Sequence, residues 1–267
     1  MTTSRLSNQV AWISGGASGM GEATARLFVR EGARVAIADV NVARARELAD
    51  QLNRDGSERA LAMECDVASE EDVQRSIDET VARFHTLHIL VNNAGIPQFT
   101  PLHECAEEEW DRVMAVNVKS AYFSLKSAYP HLSGHDQSYV VNVASISSLV
   151  AQACTPVYTT SKHALLGLTR SIALDYAADG IRCNCVCPGI TDTPLLRSHL
   201  EKYPDPESLL AARLRRVPLG KALTPEDIAR SILYFSCEDS AGVTGTSLVI
   251  DGGYLTAAEW DGGTEKE

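Results

Sequence analysis

The sequence has no long apolar segment. No run of about 18 apolar residues occurs among its 267 residues, so no transmembrane helix is expected. Met1 to Gln9 is polar and lacks the apolar core of a secretory signal peptide. The sequence therefore predicts a protein without a membrane partner.

Positive charge is also scarce, and the number of cysteines does not fit a disulfide framework. The chain has 24 Lys and Arg against 35 Asp and Glu, which gives a formal net charge of −11. Nucleic-acid binding rests on clustered cations, so this balance argues against a nucleic-acid partner. The seven cysteines are an odd number and cannot all pair within one chain. Reduced thiols are the simpler interpretation, and they predict a cytoplasmic location.

The chain is rich in short apolar runs that alternate with helical-period segments. The predicted strands are Val10–Ser14, Arg34–Ala38, Ala60–Cys65, Ile89–Asn92, Tyr139–Val143, Arg182–Cys187 and Ser247–Ile250. The predicted helices are Gly21–Glu31, Ala43–Arg54, Glu70–Phe84, Glu107–Leu132, Tyr158–Ala178 and Pro225–Phe235. This alternation predicts an α/β fold, a doubly wound parallel sheet with helices on both faces.

We expect a single domain over residues 1–267. The proline-containing segment Thr191–Arg216 interrupts the alternation, and we interpret it as a lid rather than a second domain. The residues after Tyr254 end in glycine and charge, which predicts a short flexible tail.

A glycine-rich loop joins the first predicted strand to the first predicted helix. It reads Ser14-Gly15-Gly16-Ala17-Ser18-Gly19-Met20-Gly21. Glycines let backbone N–H groups approach a pyrophosphate, and the following helix N-terminus favours negative charge. Taken alone, the spacing also fits an ordinary glycine-rich turn. Its place between strand and helix favours a dinucleotide site.

The ends of the next strands carry groups suited to the rest of a dinucleotide. Asp39 lies 18 residues beyond Gly21, near the spacing of a carboxylate that binds the adenosine ribose hydroxyls. A carboxylate there would repel a 2′-phosphate, and Ser18 is not cationic, so NAD is favoured over NADP. Asp39 could instead be a strand-end cap. Asp66 and Val67 could contact adenine, although Asp66 could simply begin a turn. The fourth strand ends in Asn92-Asn93-Ala94-Gly95, small enough to pass close to a ligand.

Four polar residues follow in an order that suits proton transfer. Tyr158 and Lys162 are four apart and share a helix face, and Ser145 lies 13 residues before Tyr158. Asn117 lies in the preceding long helix. Tyrosine has a reference pKa of about 10, but a neighbouring ammonium group lowers it. Each residue alone has an ordinary structural explanation, whereas the set predicts an alcohol-oxidising site.

Together these segments resemble the short-chain dehydrogenase/reductase family, in its compact branch, over roughly Leu6 to Tyr254. The resemblance rests on the glycine loop, Asp39, Asp66-Val67, Asn92-Asn93-Ala94-Gly95, Asn117, Ser145, Tyr158-Thr-Thr-Ser-Lys162, Pro188-Gly189 with Thr193, and Asp251-Gly252-Gly253. Two departures are small: Ser14 replaces the usual threonine, and Thr191 stands where an aliphatic residue is common.

The resemblance implies a catalytic set of four residues in a seven-stranded fold. Tyr158 would be the general acid/base, and Lys162 would hold the nicotinamide ribose and lower the tyrosine pKa. Ser145 would hydrogen-bond the substrate oxygen. Asn117 would anchor a water that relays protons from Lys162. No metal is required, because hydrogen bonds meet the developing alkoxide charge.

The resemblance also implies an NAD site and an assembly. The implied cofactor contacts are Gly15, Ser18, Gly19, Met20, Gly21, Asp39, Asp66, Val67, Asn93, Ala94, Gly95, Tyr158, Lys162, Pro188, Gly189, Thr191 and Thr193. Thr191 would act through its backbone, and Thr193 would fix the nicotinamide face. The two long helices would pair between subunits, which predicts a homotetramer.

Several other groups invite a functional interpretation. Cys183, Cys185 and Cys187 alternate along one strand, which fits buried packing better than a metal site because no fourth ligand is near in sequence. Cys154 is expected in a loop that borders the substrate, either as an accessible thiol or as a buried one.

Two further sets bear on the substrate. Arg213, Arg215 and Arg216 could steer an anionic substrate or form a solvated helix end. Gln98, Ser147 and Gln152 lie on segments expected to face the pocket, which hints at a sugar, polyol or cyclic diol.

The sequence thus favours an NAD-dependent oxidoreductase that interconverts a secondary alcohol and a ketone. A 3-oxoacyl or steroid-type carbonyl reductase is the alternative within enzymes, although Asp39 disfavours its usual NADP. A nucleotide-binding regulatory protein without turnover is the alternative of another class.

Overall fold

A computed structural model describes residues 4–256 of the chain. The strands are β1 (Val10–Ser14), β2 (Arg34–Asp39), β3 (Ala60–Glu64), β4 (Ile89–Asn92), β5 (Ser138–Val143), β6 (Ile181–Pro188) and β7 (Ser247–Ile250). All pair in parallel in one seven-stranded sheet of order β3-β2-β1-β4-β5-β6-β7. The predicted doubly wound parallel sheet is confirmed. Beyond Thr256, the predicted flexible tail lies outside the described residues.

Helices cover both faces of the sheet. They are α1 (Gly19–Arg30), α2 (Val42–Leu52), α3 (Glu70–Phe84), α4 (Glu107–Met114), α5 (Ser120–Leu132), α6 (Pro156–Asp175), α7 (Pro194–Leu200), α8 (Pro206–Leu214) and α9 (Pro225–Phe235). The helices α1, α2 and α9 pack on one face, and α3, α5 and α6 pack on the other. Within residues 4–256 none of them combines the length and apolarity that crossing a bilayer requires.

The strands form where the apolar runs predicted them. Every residue of β1 and β5 is buried, as a strand covered on two faces requires. The bounds differ by one residue at several ends: β2 includes Asp39, β3 stops before Cys65, and β6 spans Ile181–Pro188. Apolar character marks the buried centre of a strand, whereas its last pairing depends on the neighbouring strand.

The observed ends of the helices coincide with capping residues more closely than with the ends of the apolar periodic segments. Helix α6 begins at Pro156 rather than Tyr158 because proline suits the first helical position, and it ends at Asp175 rather than Ala178. Helix α1 begins at Gly19 and ends at Arg30, and α2 spans Val42–Leu52. Ser69 and Thr224 cap α3 and α9, and their hydroxyl groups accept hydrogen bonds from the backbone N–H of Asp72 and Asp227.

The predicted helix Glu107–Leu132 is not uniform. Its middle, Ala115–Lys119, is a π-helical segment that joins α4 to α5. Such a wide turn inserts an extra residue into the helix and often accompanies a functional site. Asn117 lies within it, a detail that apolar periodicity could not reveal.

The chain order changes direction between β1 and β4. From β1 the sheet grows outward through β2 and β3, and from β4 it grows the other way to β7. The loops that follow β1 and β4 therefore part at this point and leave a crevice at the carboxyl edge. Helices α7 and α8 lie within Thr191–Arg216, the lid segment predicted from the sequence.

Candidate active site

The glycine loop after β1 needs glycine at specific positions. Gly15 and Gly19 have φ of +59° and +53°, a region that side chains disfavour. A Cβ on Gly21 would lie 2.1 Å from the Gly15 carbonyl oxygen, so no side chain fits there. The loop therefore brings the chain tightly into α1 and leaves its first N–H groups facing the crevice, which suits an anion.

A second set of contacts fastens this loop to the end of β4. The Ser14 hydroxyl accepts hydrogen bonds from the N–H groups of Asn93 and Ala94, at 3.0 and 3.1 Å. The Asn93 amide donates to the carbonyl oxygens of Ser14 and Gly15, both at 3.0 Å. Asn93 Oδ1 is buried and has no partner within the described part of the chain. A donor from a bound ligand would satisfy it.

Asp39 ends β2 beside the glycine loop. One carboxylate oxygen accepts from the Ala17 N–H at 3.0 Å, and the other accepts from the Asn41 N–H at 2.9 Å. The carboxylate thus braces the loop, as its strand-end interpretation proposed. Ionised carboxylates have about four lone-pair sites, so capacity remains for ribose hydroxyls.

The third strand leads to the next predicted contacts. Asp66 accepts from the Ala68 N–H at 3.0 Å and pairs with Arg112 at 3.0 Å. Burial raises its pKa, but these two contacts outweigh burial and lower it overall. Val67 is buried beside it. Asp66 therefore begins a turn, as one interpretation held, and lies at the same edge of the sheet as Asp39.

The segment after β6 closes toward the glycine loop. Thr193 caps α7, since its hydroxyl accepts from the Leu196 N–H at 3.2 Å. A Cβ on Gly19 would lie 3.4 Å from the Thr193 methyl group. Thr191 donates its hydroxyl proton to the Gly189 carbonyl oxygen, and its backbone pairs with Leu223. The lid segment and the loop after β1 thus meet.

The four predicted catalytic residues converge from β5, the π-helical segment and α6. Lys162 is buried and donates from Nζ to the Val143 carbonyl oxygen at 2.9 Å. Its Nζ lies 5.7 Å from the centre of the Tyr158 ring. The Ser145 hydroxyl accepts from the Ser147 N–H at 3.1 Å. Ser145 and half-buried Tyr158 line one cavity.

Asn117 supports this group from behind. Its amide oxygen accepts from the Ile96 N–H at 2.8 Å, and its amide nitrogen donates to the Ile96 carbonyl oxygen and to Ser161 Oγ, both at 3.0 Å. A Cβ on Gly95 would lie 3.3 Å from Lys162 Nζ and 3.4 Å from Asn117 Oδ1. Asn117 therefore ties the loop after β4 to α6, next to the lysine.

Burial dominates the titration of the central pair. It lowers the pKa of Lys162 to about 8. It raises the pKa of Tyr158, and the Ser145 hydroxyl lowers that pKa by less. The lowering of the tyrosine pKa expected from Lys162 and a bound nicotinamide stays a prediction, because burial is the larger effect within the protein itself.

The cavity has a volume of about 230 Å³. The predicted site residues in its wall are Met20, Ser145, Tyr158, Pro188, Gly189, Thr191 and Thr193. The other lining residues are Pro97, Gln98, Phe99, Ala144, Ile146, Gln152, Thr155, Ile190, Leu195, Leu196, His199 and Arg213. Hydroxyl groups thus lie on one part of the wall, and the helices α7 and α8 form another part.

Comparison with known proteins assigns the chain to a family. A family model described as enoyl-(acyl carrier protein) reductase matches residues 15–255. Dehydrogenase/reductase SDR family member 6 of Danio rerio is 36% identical over 253 residues, which cover 94% of this chain and 98% of that relative. The chain belongs to the short-chain dehydrogenase/reductase family. It is an oxidoreductase of a family that uses nicotinamide cofactors.

Two further similarities concern dehydrogenases. 2-(R)-Hydroxypropyl-CoM dehydrogenase of Xanthobacter autotrophicus is 38% identical over 250 residues, covering 92% of this chain and 98% of that enzyme. The ligand-free structure of Thermoplasma acidophilum aldohexose dehydrogenase superposes with a TM-score of 0.88 at 31% identity. The superposition covers 97% of this chain and 98% of that structure.

Some polar residues of this family member do not face the cavity as expected. Gln98 lines it, but its amide donates to the Thr100 carbonyl oxygen and accepts from the Val157 N–H. Ser147 is buried outside the lining. The expectation for Ser147 was wrong because its side chain is buried in a short 3₁₀ turn, whereas Gln98 lines the cavity as expected but spends its amide on protein groups. Gln152 lines the cavity as expected.

The cysteines are packing groups or lie apart from the cavity. Cys183, Cys185 and Cys187 are buried, and the last two pack against Leu165 of α6. Among residues 4–256 no three potential metal ligands converge. The loop that carries Cys154 borders the cavity through Gln152 and Thr155, but Cys154 itself is exposed and lines a separate surface depression.

The residues that sequence reasoning missed lie mostly on the lid segment. His199, Leu195 and Phe99 line the cavity, yet no motif or spacing marks them. Their roles depend on how α7 folds back over the sheet, which local sequence does not encode. Arg213 belongs to the arginine cluster that could steer an anionic substrate. It is half-buried in the cavity wall, whereas Arg215 is exposed.

Proposed function

We propose that this oxidoreductase interconverts a secondary alcohol and a ketone with NAD. The observation that carries the proposal is the placement of Ser145 and Tyr158 in one cavity wall, with Lys162 beside the tyrosine ring. The same wall continues into Gly189 and Thr193, which border the glycine loop. A proton-transfer group and a cofactor-sized crevice thus adjoin one small space.

The crevice fits a dinucleotide on several grounds. The glycine loop leaves no room for a Cβ at Gly21, the unpartnered Asn93 Oδ1 can accept a donor, and α1 directs its N-terminus at the loop. NAD, when bound, accepts a hydride from the alcohol carbon and returns it in the reverse direction. Asp39 would accept the adenosine ribose hydroxyls, and its charge would repel a 2′-phosphate.

Tyr158 is the proposed general acid/base. For alcohol oxidation its phenolate would remove the hydroxyl proton, and the Ser145 hydroxyl would hold the same substrate oxygen. Lys162 places a cation 5.7 Å from the ring centre and would bind the nicotinamide ribose. Because burial raises the tyrosine pKa within the protein, the positive charges of Lys162 and of the nicotinamide must both act to make the phenolate accessible.

Asn117 is the proposed positioning residue of the set. All three hydrogen bonds of its amide go to protein groups, so the side chain itself is not available to a ligand. Its backbone lies in the π-helical segment, whose wide turn can leave a carbonyl oxygen for a water. Such a water would link Lys162 to solvent and carry away the proton that Tyr158 gains from the alcohol.

The substrate is proposed to be a compact, hydroxylated molecule of the sugar, polyol or cyclic diol type. A cavity of about 230 Å³ is smaller than the roughly 300–1,000 Å³ of pockets for drug-sized ligands, which disfavours steroids. The similarity to an aldohexose dehydrogenase supports a hydroxylated substrate. The description of the matching family model, enoyl-(acyl carrier protein) reductase, favours the reduction of an acyl-chain substrate as a second candidate.

The test is a cofactor and substrate panel. NAD or NADP is mixed with sugars, polyols and cyclic diols, and NADH or NADPH absorbance is followed; 3-oxoacyl substrates are tested with the reduced cofactors. We expect turnover with NAD and a secondary alcohol. Faster reduction of 3-oxoacyl substrates with NADPH would favour the second candidate. Tight NAD binding without turnover, and with a co-purifying protein, would favour the regulatory alternative.

A further inference from the structure

The lid segment places an ordered imidazole in the cavity wall. His199 of α7 stacks on Phe99 with a ring-centre distance of 3.8 Å and an interplanar angle of 14°. Tyr203 meets the same imidazole edge-on, with ring centres 5.3 Å apart. His199 is only 8% exposed. Two aromatic contacts therefore hold the ring in one orientation.

The position of the proton on this ring follows from its neighbour. Arg213 Nη2 lies 3.4 Å from His199 Nε2. A guanidinium can only donate, so Nε2 accepts and a neutral ring carries its hydrogen on Nδ1. Burial, with nearby Arg213 and Lys202, lowers the pKa of His199 and favours that neutral form. Nδ1 is buried and has no partner among residues 4–256.

Arg213 itself lacks an acidic partner in the part of the chain that the structure describes. Arg197 of the same lid segment pairs with Asp192 and Glu207, whereas Arg213 forms no such ion pair. Of the described residues that line the cavity, Arg213 is the one with a fixed charge, and none is a carboxylate. The cavity wall thus carries a half-buried cation and a buried N–H donor that are both under-used.

We propose that Arg213 and His199 together bind a carboxylate of the substrate, so that the compact alcohol oxidised beside Tyr158 is a hydroxy acid. This inference deepens the proposed function and rests on it for the position of the hydroxyl. The guanidinium offers several N–H donors in a planar fork that matches a carboxylate, and Nδ1–H supplies another donor. Phe99 and Leu195 add apolar side chains to the same cavity wall, which suits a short carbon spacer.

The test compares carboxylates with matched neutral compounds. The probes are short aliphatic methyl keto acids, whose carboxylate is moved one methylene at a time from the carbonyl, and their primary amides. Binding is measured by calorimetry with NAD present, a combination in which both reactants are oxidised and no hydride can move. We expect at least one acid to bind about tenfold to a hundredfold more tightly than its amide.

Three variants locate the effect. Arg213→Met should abolish the preference for acid over amide. His199→Phe, which keeps the stack on Phe99 but lacks Nδ1–H, should reduce the preference severalfold. Arg215→Met is the matched control, because Arg215 is exposed, adjacent in sequence and outside the cavity lining; its preference should equal that of the parent.

The outcomes separate this inference from the proposed function. Equal binding of acid and amide by the parent, or a preference that survives Arg213→Met, would overturn the carboxylate site even if neutral alcohols are oxidised. An Arg213-dependent preference for acids, without NADH formation from the corresponding hydroxy acids, would support the carboxylate site and contradict the proposed reaction.

Discussion

At the scale of single residues, Lys162 is unusual because its charge is almost completely buried. It is 3% exposed, and within the described residues its ammonium group makes one hydrogen bond, from Nζ to the Val143 carbonyl oxygen. A cation so placed costs folding free energy, and the proposed function assigns it a role beside Tyr158. The buried cation thus lowers the stability of the fold and creates a positive potential at the tyrosine.

This loss of stability predicts a pH-dependent gain in stability for Lys162→Met. The folded pKa of Lys162 is about 8, below its ordinary 10.5. At pH 7 the variant should be more stable by about 1–2 kcal/mol, after allowing for the lost bond to Val143. Between pH 8 and 10.5 the unfolded chain binds more protons, so the parent gains stability and the difference shrinks. Urea unfolding measures both; a difference independent of pH would contradict the assignment.

At the scale of elements, the sequence predicted the buried cores of helices and strands but not the polar links between them. Asn92 of β4 bonds to Asn142 of β5 at 2.8 Å and to Ser124 of α5 at 2.7 Å, and Asn142 reaches Thr169 of α6. These partners lie far apart in the chain, so no local pattern pairs them. The part of the cavity wall that α7 and α8 form could not be predicted for the same reason.

The convergence of the proposed catalytic and cofactor residues at one edge of the sheet was predictable because each group depends on a short motif. Backbone conformation at Gly15 and Gly19, and lack of space at Gly21, require glycine. Requirements of this kind are visible in the local sequence. The orientation of Gln98 depends instead on Thr100 and Val157, the second of which comes from another element. Substrate contacts of this kind need the assembled structure.

The end of β2 carries the prediction on cofactor choice. Asp39→Ala should lower the ratio of NAD to NADP affinity by about tenfold or more, because it removes an ionised acceptor for the ribose and a charge that repels phosphate. Cofactor titrations by fluorescence measure both affinities. Asn41→Ala, which disturbs the same turn by removing the cap of α2, is the control and should leave the ratio unchanged. An unchanged ratio in Asp39→Ala would refute NAD selection by this carboxylate.

The start of β1 carries a prediction on acid stability. His88 Nδ1 accepts from the Val10 N–H at 3.1 Å, and its ring stacks on His135 with centres 4.1 Å apart. Burial, His135 and Arg34 lower the pKa of His88 to about 4. Protonation of His88 is therefore less favourable in the folded protein than in the unfolded chain. The stability that its neutral ring contributes is present above pH 6.5 and is lost as the pH falls toward 4.

Thermal unfolding between pH 7 and 5 tests this contribution. His88→Asn keeps an acceptor for the Val10 N–H but does not titrate. The variant should lose less stability than the parent over this range, in which few carboxylates change charge. Equal losses in the two proteins would show that His88 does not contribute.

At the scale of the whole molecule, we predict a homotetramer. Two of the regions that expose apolar side chains are regular elements: Tyr122 and Leu174 lie on α5 and α6, and Leu248 and Val249 lie on the edge strand β7. Leu174 is 80% exposed, which is unusual for leucine on a long helix. Two distinct self-complementary faces are what a tetramer of dihedral symmetry requires.

Light scattering after gel filtration measures the assembly. The parent should elute as a tetramer at micromolar concentration, and Leu174→Glu should yield a smaller species. A monomeric parent would contradict the prediction. The net charge of −11 favours solubility, but it does not select a ligand, because the proposed NAD is itself anionic and the glycine loop would hold it through local backbone N–H groups.

The most direct test of the account compares Tyr158→Phe with the parent on an active alcohol. Initial rates of NADH formation and the NAD dissociation constant are measured for both proteins. Loss of the phenolic proton acceptor should lower the rate by about 10²–10⁴-fold and leave NAD affinity nearly unchanged. A variant that oxidises the alcohol as fast as the parent would contradict the central claim that Tyr158 transfers the proton.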